Sequence, residues 1–226
     1  MTSGRLVAIE GGDGSGKGTQ AELLREYLSI SLNLDVLKVS FPRHGVPSAD
    51  IAGKYLNGDY GRADQVPADL ASLAYAVDRF AASSEIRRKL VQKNSFVIAD
   101  RYVASNLAHQ GTKFANKKDR LAFYDRIMEL EYGTMGIPKP DKQIVLIVPT
   151  AIAQINVDKK EARSYTTKKR DIHEANASHL DRAKANYEEL CRLYPDEFTA
   201  IQCVDELGAM RSIDDIQLEI RDLIKL

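Results

Sequence analysis

Short runs of consecutive apolar residues alternate along the chain with longer segments in which apolar residues recur at helical spacing. The short runs are rich in valine, isoleucine and leucine and contain few polar residues. Strands that are buried on both faces of a parallel sheet have this composition. The pattern therefore predicts five strands, at residues 6–9, 35–41, 95–99, 142–148 and 198–204.

The segments between these runs carry helical patterns. Apolar residues repeat at helical spacing from Leu23 to Leu28, directly after a glycine-rich loop. Strands that alternate with helices indicate βαβ units, so we predict a doubly wound α/β domain that occupies residues 1–226 as a single unit. Further helices are predicted at residues 68–92, 175–194 and 212–226.

Composition and charge argue against a nucleic-acid-binding protein, a membrane protein and a secreted protein. Because 32 Lys and Arg residues balance 32 Asp and Glu residues, no overall field attracts the chain to nucleic acid or to an anionic membrane. The apolar runs are far shorter than the ~20 residues of a membrane span, and the first residues lack the apolar core of a signal peptide. Cys191 and Cys203 do not form a C-x-x-C pair. We expect reduced thiols in a cytoplasmic protein.

Residues 9–20 read IEGGDGSGKGTQ and lie between the first predicted strand and the first helix. The spacing of Gly11, Gly16 and Lys17 is that of a phosphate-binding P-loop, except that glycine follows the lysine. Glycines let backbone N–H groups turn toward phosphate oxygens, and the helix N-terminus adds its positive end. The pattern predicts an ATP-binding loop made of Gly11, Gly12, Asp13, Gly14, Ser15, Gly16, Lys17, Gly18 and Thr19.

Because Gly18 has no hydroxyl, we expect the magnesium ligand elsewhere in the chain. The third predicted strand is followed directly by Asp100. In an open α/β sheet, ligands gather at the carboxyl ends of the strands, so Asp100 should share a crevice with the glycine loop. Mg²⁺ usually retains several waters, so Asp100 can bind it directly or through water, with Thr19 assisting.

Arginines follow two of the predicted strands, namely Arg43 in FPRHG and Arg101 in the DRY segment. Two guanidinium groups at neighbouring strand ends would converge on one anion, which indicates a second phosphate site. Tyr75 and Arg79 are four residues apart and share one helix face. Two phosphorylated ligands in one crevice predict phosphoryl transfer, a reaction that depends on positioning and on positive charge.

Residues 158–174 contain many lysines and arginines and few apolar residues. Such a segment is most often a solvated loop. Its place after the fourth predicted strand also fits a basic lid that closes over the crevice and excludes water from the reaction.

The ordered set of motifs resembles the thymidylate kinases (dTMP kinases) of the P-loop nucleoside-monophosphate kinase superfamily. The resemblance implies a P-loop kinase fold, in which a five-stranded parallel sheet is flanked by helices on both faces and carries a short basic lid. It also implies phosphorylation of dTMP to dTDP by ATP with Mg²⁺, for dTTP biosynthesis, in a cytosolic homodimer without a nucleic-acid or membrane partner. The matching segments are residues 9–20, FPR at 41–43, YAVDR at 75–79, DRYVASNLAHQG at 100–111 and RDIHE at 170–174.

The same resemblance implies roles for individual residues. Lys17, Arg101 and Arg163 would neutralise charge on the transferring phosphoryl group, Tyr75 would contact the thymine ring, and Arg79 would donate to a thymine carbonyl. The implied acceptor site comprises Asp13, Phe41, Arg43, Tyr75, Arg79, Arg101, Ser105, His109 and Gln110.

Three positions depart from the family pattern. Gly18 produces GKGTQ, the form typical of adenylate kinases. Gly14 stands where some thymidylate kinases carry a loop arginine, which increases the importance of Arg163 in the lid. His109 stands where an aromatic residue, often tyrosine, commonly packs below the deoxyribose.

Two alternative functions follow from the same residues. GKGTQ alone favours an adenylate-kinase-like enzyme, whereas Asp13, the FPR strand end and the DRY segment argue against it. A P-loop switch that binds nucleotide without transferring phosphate is the alternative outside the kinases. Such a protein would not need Arg43, Arg79 and Arg101 around an acceptor pocket.

Overall fold

A computed structural model describes residues 4–158 and 177–225 of the 226-residue chain. Within them, five parallel strands form one sheet in the order β2-β3-β1-β4-β5. Each strand overlaps one of the predicted apolar runs. The strands are β1 (Arg5–Gly11), β2 (Asp35–Ser40), β3 (Ser95–Asp100), β4 (Lys142–Ile147) and β5 (Phe198–Gln202).

Helices connect the strands throughout the described residues. Two of them continue into π-helical turns, at Tyr27–Ser31 after the first and at Glu129–Thr134 after the fifth. The α-helices are α1 (Lys17–Glu26), α2 (Asp50–Asn57), α3 (Ala68–Leu90), α4 (Val103–Gly111), α5 (Lys117–Met128), α6 (Thr150–Asp158), α7 (Ala177–Leu193) and α8 (Ile213–Leu223).

The central strand β1 explains why the apolar runs are continuous. It pairs in parallel with both β3 and β4, and its alternate side chains enter the cores on the two faces of the sheet. Leu6 and Ala8 join one core, whereas Val7 and Ile9 join the other. A strand between two helical layers needs apolar side chains at successive positions.

Helices cover both faces of the sheet, which confirms the predicted fold class. Helices α3, α4, α5 and α7 contribute to the core that contains Leu6. Helices α1, α6 and α8 contribute to the core that contains Val7. None of the helices in the described parts of the chain combines the length and apolar character that a membrane span requires.

The long helix predicted at residues 68–92 is observed at Ala68–Leu90. The last helix begins one residue after Ser212, whose hydroxyl accepts a hydrogen bond from the Asp215 N–H at 3.0 Å. Helices α2, α4, α5 and α6 were not predicted. In α4 nearly every residue is buried, so it lacks the polar face that makes a helix recognisable in sequence.

The carboxyl ends of the three neighbouring strands β2, β3 and β1 meet at one edge of the sheet. The Phe41 N–H donates to the Asp100 carbonyl at 2.9 Å, and the Arg101 N–H donates to the Ile9 carbonyl at 3.0 Å. The glycine loop, Asp100, Arg101 and Phe41 therefore lie together at this edge, which is where an open parallel sheet binds ligands.

Candidate active site

The glycine loop is packed against helix α6. A Cβ atom added at Gly14 would lie 2.0 Å from the carbonyl oxygen of Ala153, and Gly14 has a φ of +78°. The Asn156 side chain donates to the Gly14 carbonyl at 3.0 Å. Position 14 therefore has no room for a side chain, which gives a physical reason why no loop arginine is present there.

The Lys17 ammonium group is held inside the loop. Its Nζ atom donates to the Gly12 carbonyl at 3.0 Å and lies 3.8 Å from an Asp13 carboxylate oxygen. Only 7% of Lys17 is exposed. A positive charge thus lies within the curve of the loop at the start of α1, where backbone N–H groups favour an anion. Thr19 is exposed on the same helix.

Asp100 lies beside the start of α1, where a magnesium ligand is expected from the sequence. A Cβ atom at Gly18 would lie 3.2 Å from Asp100 Oδ2, so the two residues are neighbours. Asp100 Oδ1 is buried and has no hydrogen-bond partner in the part of the chain that the structure describes. A buried carboxylate oxygen without a donor is suited to a hard cation. Among these same residues, no cluster of three His, Cys, Asp or Glu side chains could hold a metal, so one carboxylate and substrate phosphates would have to bind it.

Arg101 joins the loop to the neighbouring cleft. Its φ of +67° turns the chain sharply after β3. Nη1 donates to the Gly11 carbonyl and to Ser105 Oγ, each at 3.3 Å, and Nη2 donates to Asp13. Burial lowers the pKa of Arg101, but the Asp13 carboxylate and other nearby acidic groups outweigh it, so the net pKa is raised. The guanidinium group of Arg101 is therefore a permanent positive charge between the glycine loop and the cleft beside it.

The buried carboxylate of Glu10 stabilises the turn at Arg101. It accepts hydrogen bonds from the Tyr102 N–H at 2.6 Å, from Ser105 Oγ at 2.7 Å and from the Tyr187 hydroxyl at 3.3 Å. Burial raises the pKa of Glu10, and the Ser105 hydrogen bond and the charge of Arg101 oppose this shift. Sequence analysis did not identify Glu10, although a charged residue that follows a buried apolar run was an available signal.

A cleft opens beside Arg101 and reaches Asp13 of the glycine loop. Eight of the nine residues predicted for the acceptor site line it, namely Asp13, Phe41, Tyr75, Arg79, Arg101, Ser105, His109 and Gln110. Asn106 could have been inferred from its position beside Ser105 on α4, whereas Leu56 lies on a helix that was not predicted. The lining residues that sequence analysis missed are Ser40, Pro42, His44, Leu56 and Asn106.

The far end of the cleft is aromatic and carries an amide group. The rings of Tyr55 and Tyr75 meet edge to face, with centroids 6.2 Å apart. The Tyr55 hydroxyl donates to Gln110 Oε1 at 3.3 Å. A flat apolar surface beside a group that can both donate and accept hydrogen bonds suits a nucleobase.

Arg79 lines the cleft but is largely occupied by a structural partner. Its Nε and Nη2 atoms donate to the two carboxylate oxygens of Glu131, at 2.6 and 2.7 Å, and only 1% of Arg79 is exposed. Nη1 is 3.4 Å from the Tyr102 carbonyl oxygen. Burial alone lowers the pKa of Arg79, but the Glu131 carboxylate outweighs it and the net pKa is raised.

The side chain of Arg43 does not converge with that of Arg101 in the cleft, although the sequence predicted that both would bind one anion. It is not among the residues that line the cleft. Its Nε atom donates to Asp78 Oδ1 at 2.9 Å, and its Nη2 atom donates to Ser48 Oγ at 3.0 Å. The physical reason is that Asp78 is completely buried and an unpaired buried carboxylate is costly.

The lid predicted at residues 158–174 lies outside the described residues apart from Asp158, at the end of α6. The prediction for Arg163 therefore concerns a residue outside them.

Comparisons with known proteins show the family of the chain. The profile of the thymidylate kinase family matches residues 9–212. The chain is 35% identical over 193 residues to the thymidylate kinase of Mycobacterium tuberculosis, covering 82% of this chain and 85% of that protein. It is 32% identical over 161 residues to the thymidylate kinase of Afipia carboxidovorans, covering 71% of this chain and 66% of that protein.

Two solved structures share the fold. The thymidylate kinase of Candida albicans superposes with a TM-score of 0.73 at 22% identity, covering 99% of this chain and 92% of that one. The thymidylate kinase of Ehrlichia chaffeensis superposes with a TM-score of 0.68 at 18% identity, covering 99% and 100%. Because the family profile spans most of the chain and a relative of 35% identity covers 82% of it, the chain belongs to the thymidylate kinase family.

Proposed function

We propose that this chain transfers the γ-phosphoryl group of ATP to the 5′-phosphate of dTMP, giving dTDP and ADP. The observation that carries the proposal is the position of Arg101, whose guanidinium group contacts both the glycine loop and the wall of the acceptor cleft. A cation at the junction of two phosphate sites is what phosphoryl transfer requires. We treat residues 1–226 as one thymidylate-kinase-like domain in the cytoplasm.

The residues of this chain act by positioning the phosphates and neutralising their charge. Backbone N–H groups of residues 11–19 hold the donor phosphates, and Lys17 adds its positive charge at the end of the loop. A phosphate monoester has its second pKa near ~6, so the dTMP phosphate is already anionic at neutral pH and needs no general base. Arg101 faces the charge that develops between the two substrates.

Asp100 would hold Mg²⁺, with Thr19 assisting through water. When bound, the cation would offset the negative charge of the phosphates. Gly18 leaves space beside the Asp100 carboxylate, which would be reduced by a larger residue.

In the acceptor cleft, Tyr75 and Gln110 contact the base, Asp13 and Ser105 lie at the phosphate end, and His109 lies between them. Arg79 reaches a thymine carbonyl through Nη1, the terminal nitrogen that Glu131 does not hold. Arg43 supports the cleft wall formed by its neighbours, including Phe41, through its contact with Asp78.

Arg163 supplies further positive charge from the lid during transfer. Its charge matters mainly when the lid is closed, so Arg163→Ala lowers kcat while dTMP binding is nearly unchanged. Equal losses in kcat and in dTMP affinity would count against this role.

We also propose that the enzyme is a homodimer that associates through α3. The side chains of Leu70, Leu73 and Phe80 lie on its outer face and are 59%, 41% and 54% exposed. Their spacing of three and seven residues forms one apolar stripe along the helix, and such a stripe marks a protein interface.

The reaction is tested by measuring ADP release with ATP and Mg²⁺ and with dTMP, dUMP, UMP, AMP or CMP as the acceptor. Release is expected to be fastest with dTMP and to be lost in Arg101→Met. Arg25→Met, at a partly exposed arginine of α1 that pairs with Glu22, should leave the rate unchanged. Faster release with AMP would favour the adenylate-kinase alternative. Release without any acceptor would favour the P-loop ATPase or switch.

A further inference from the structure

The hydroxyl group of Tyr187, on α7, contacts two side chains that hold the turn at Arg101. The ring of Tyr187 is completely buried in the core that contains Leu6. Its hydroxyl oxygen is 3.0 Å from Ser105 Oγ and 3.3 Å from Glu10 Oε2. Tyr187 is not among the described residues that line the acceptor cleft. A role of this hydroxyl in the reaction must therefore be exerted through its neighbours.

Ser105 links the hydroxyl of Tyr187 to the guanidinium group of Arg101. Arg101 Nη1 donates to Ser105 Oγ at 3.3 Å. A guanidinium group can only donate, so the Ser105 oxygen accepts from Arg101 whichever way the hydrogen bond between the two hydroxyl groups runs. A contact that restrains the Ser105 oxygen therefore also restrains the acceptor of Arg101 Nη1.

Glu10 anchors the same two hydroxyl groups from β1. Its Oε2 atom accepts from Ser105 Oγ at 2.7 Å, and its Oε1 atom accepts from the Tyr102 N–H at 2.6 Å. Burial and the nearby Glu10 carboxylate raise the pKa of Tyr187, although the charge of Arg101 opposes them. The Tyr187 hydroxyl therefore keeps its proton at physiological pH and can act as a hydrogen-bond donor within this group.

The contacts that hold Arg101 Nη1 are long. Its hydrogen bonds to Ser105 Oγ and to the Gly11 carbonyl are both 3.3 Å, whereas most N–H···O hydrogen bonds are nearer to ~2.9 Å. Phosphoryl transfer depends on the positioning of charge, and a small displacement of one group can lower the rate up to ~100-fold. Restraint of Ser105 from α7 should therefore affect the rate.

We propose that Tyr187 is a positioning residue for phosphoryl transfer, whose hydroxyl group restrains Ser105 and thereby holds the Arg101 guanidinium between the glycine loop and the acceptor cleft. The inference rests on the proposed reaction, because it concerns the rate of that reaction. Since Arg101 acts on charge that develops during transfer, the hydroxyl of Tyr187 contributes to kcat more than to dTMP binding.

Kinetics of Tyr187→Phe tests this role, because the substitution removes the hydroxyl and keeps the buried ring. We expect kcat with dTMP to fall about five- to tenfold, the equivalent of one neutral hydrogen bond, and KM for dTMP to change less than about twofold. The matched control is Tyr124→Phe. Tyr124 is equally buried in the same core and lies beside Gly111 at the other end of α4. An unchanged kcat in Tyr187→Phe, or an equal fall in the two variants, would overturn the proposal.

A double-mutant cycle shows whether Tyr187 acts through Arg101. Arg101→Lys keeps the positive charge but removes the guanidinium group that Ser105 and the loop hold. Residues of one hydrogen-bond network have non-additive effects, so Tyr187→Phe is expected to cause no further loss of kcat in the Arg101→Lys chain. The same loss in both backgrounds would show that Tyr187 acts independently of Arg101 and would overturn the proposal.

NMR of the ¹⁵N-arginine-labelled chain tests the positioning without any nucleotide. The exchange rate between the two Nη signals of Arg101, assigned with Arg101→Lys, reports how firmly the guanidinium group is held. This rate is expected to increase in Tyr187→Phe and to stay the same in Tyr124→Phe. An unchanged rate in Tyr187→Phe would overturn the proposal even if the chain phosphorylates dTMP. A wild-type chain without dTMP turnover would instead contradict the proposed function, because the NMR result does not depend on catalysis.

Discussion

Gly14 and Gly16 share a left-handed backbone conformation but differ in their surroundings. Their φ angles are +78° and +86°. A Cβ atom at Gly14 would clash with the backbone of α6, whereas a Cβ atom at Gly16 would have no neighbour within 4 Å in the described structure. A substitution at Gly16 therefore measures backbone strain alone, whereas one at Gly14 also measures the packing of α6 against the loop.

Alanine substitutions at these positions should destabilise the chain to different extents. Gly16→Ala is expected to cost about 1–2 kcal/mol, the strain of a left-handed L-residue. Gly14→Ala must also displace α6 from the loop, so we expect a loss of unfolding free energy at least about 1 kcal/mol larger. Urea unfolding measures both values. Equal losses would mean that α6 shifts at no cost.

The buried His179 predicts a dependence of stability on pH. Its pKa is about 4 in the folded chain, against 6.5 when exposed. Between these values the unfolded chain binds more protons, so the unfolding free energy falls as pH decreases from 6.5 toward 4. The loss is expected to reach roughly 2–3 kcal/mol at pH 4.5.

Urea unfolding of the wild-type chain and of His179→Gln, at pH 7 and at pH 4.5, measures this contribution. Other titrating groups contribute equally to both chains, so the difference between them isolates His179. The wild-type chain should lose more stability than the variant. Parallel losses in the two chains would contradict a neutral buried His179.

At this scale, local motifs were predictable and distant partners were not. The positions of Lys17 and Arg101 followed from short segments, because the spacing of a loop or a strand end sets them. The partners of Arg79 and Arg43 did not follow. Glu131 lies 52 residues from Arg79 in sequence, and only the folded chain brings the two together.

At the scale of elements, one buried ion pair joins α3 to the π-helical turn that follows α5. Glu131 is completely buried, and it also accepts a hydrogen bond from Asn106 of α4 at 2.9 Å. Three elements around the acceptor cleft are thus held by a single carboxylate. The shape of the cleft depends on this contact as well as on the residues that touch the ligand.

Breaking this pair from one side should be strongly destabilising. Arg79→Met leaves the buried Glu131 carboxylate unpaired and is expected to cost about 3–5 kcal/mol of unfolding free energy. The double variant Arg79→Met/Glu131→Leu is expected to recover most of that loss. Thermal and urea unfolding measure both effects.

The exposed pair between Arg126 and Asp69 is the matched control, with side chains that are 53% and 55% exposed. Arg126→Met should cost less than about 1 kcal/mol. A comparable cost at the two arginines would contradict the structural role of Glu131. The double variant at Arg79 and Glu131 also allows base selectivity to be measured in a folded enzyme, which tests the contact between Arg79 and thymine.

At the scale of the whole molecule, α3 has two distinct faces. One face lines the acceptor cleft and the sheet, and the opposite face presents the apolar stripe of Leu70, Leu73 and Phe80 to solvent. An exposed apolar stripe on a helix is a candidate protein interface. A second copy of the chain would cover the outer face.

Charge introduced into this stripe should separate the proposed dimer. Phe80→Glu and Leu73→Glu are expected to halve the mass measured by sedimentation equilibrium, because burial of an unpaired carboxylate is unfavourable. Ile30→Glu, at a residue that is 78% exposed, should leave the mass unchanged. A wild-type chain that sediments as a monomer would contradict the proposal.

The sequence alone determined the strands, the glycine loop and the class of chemistry. Continuous apolar runs specify strands buried on both faces, and phosphate binding depends on local backbone geometry that a short motif encodes. Tertiary structure decided which charged side chains face the ligand. Arg43, Arg79 and Arg101 look alike in sequence, yet two of them are bound to buried carboxylates, and the third contacts the glycine loop and lines the neighbouring cleft. Burial makes an unpaired charge costly, so the partner of each arginine depends on which acid the fold places beside it.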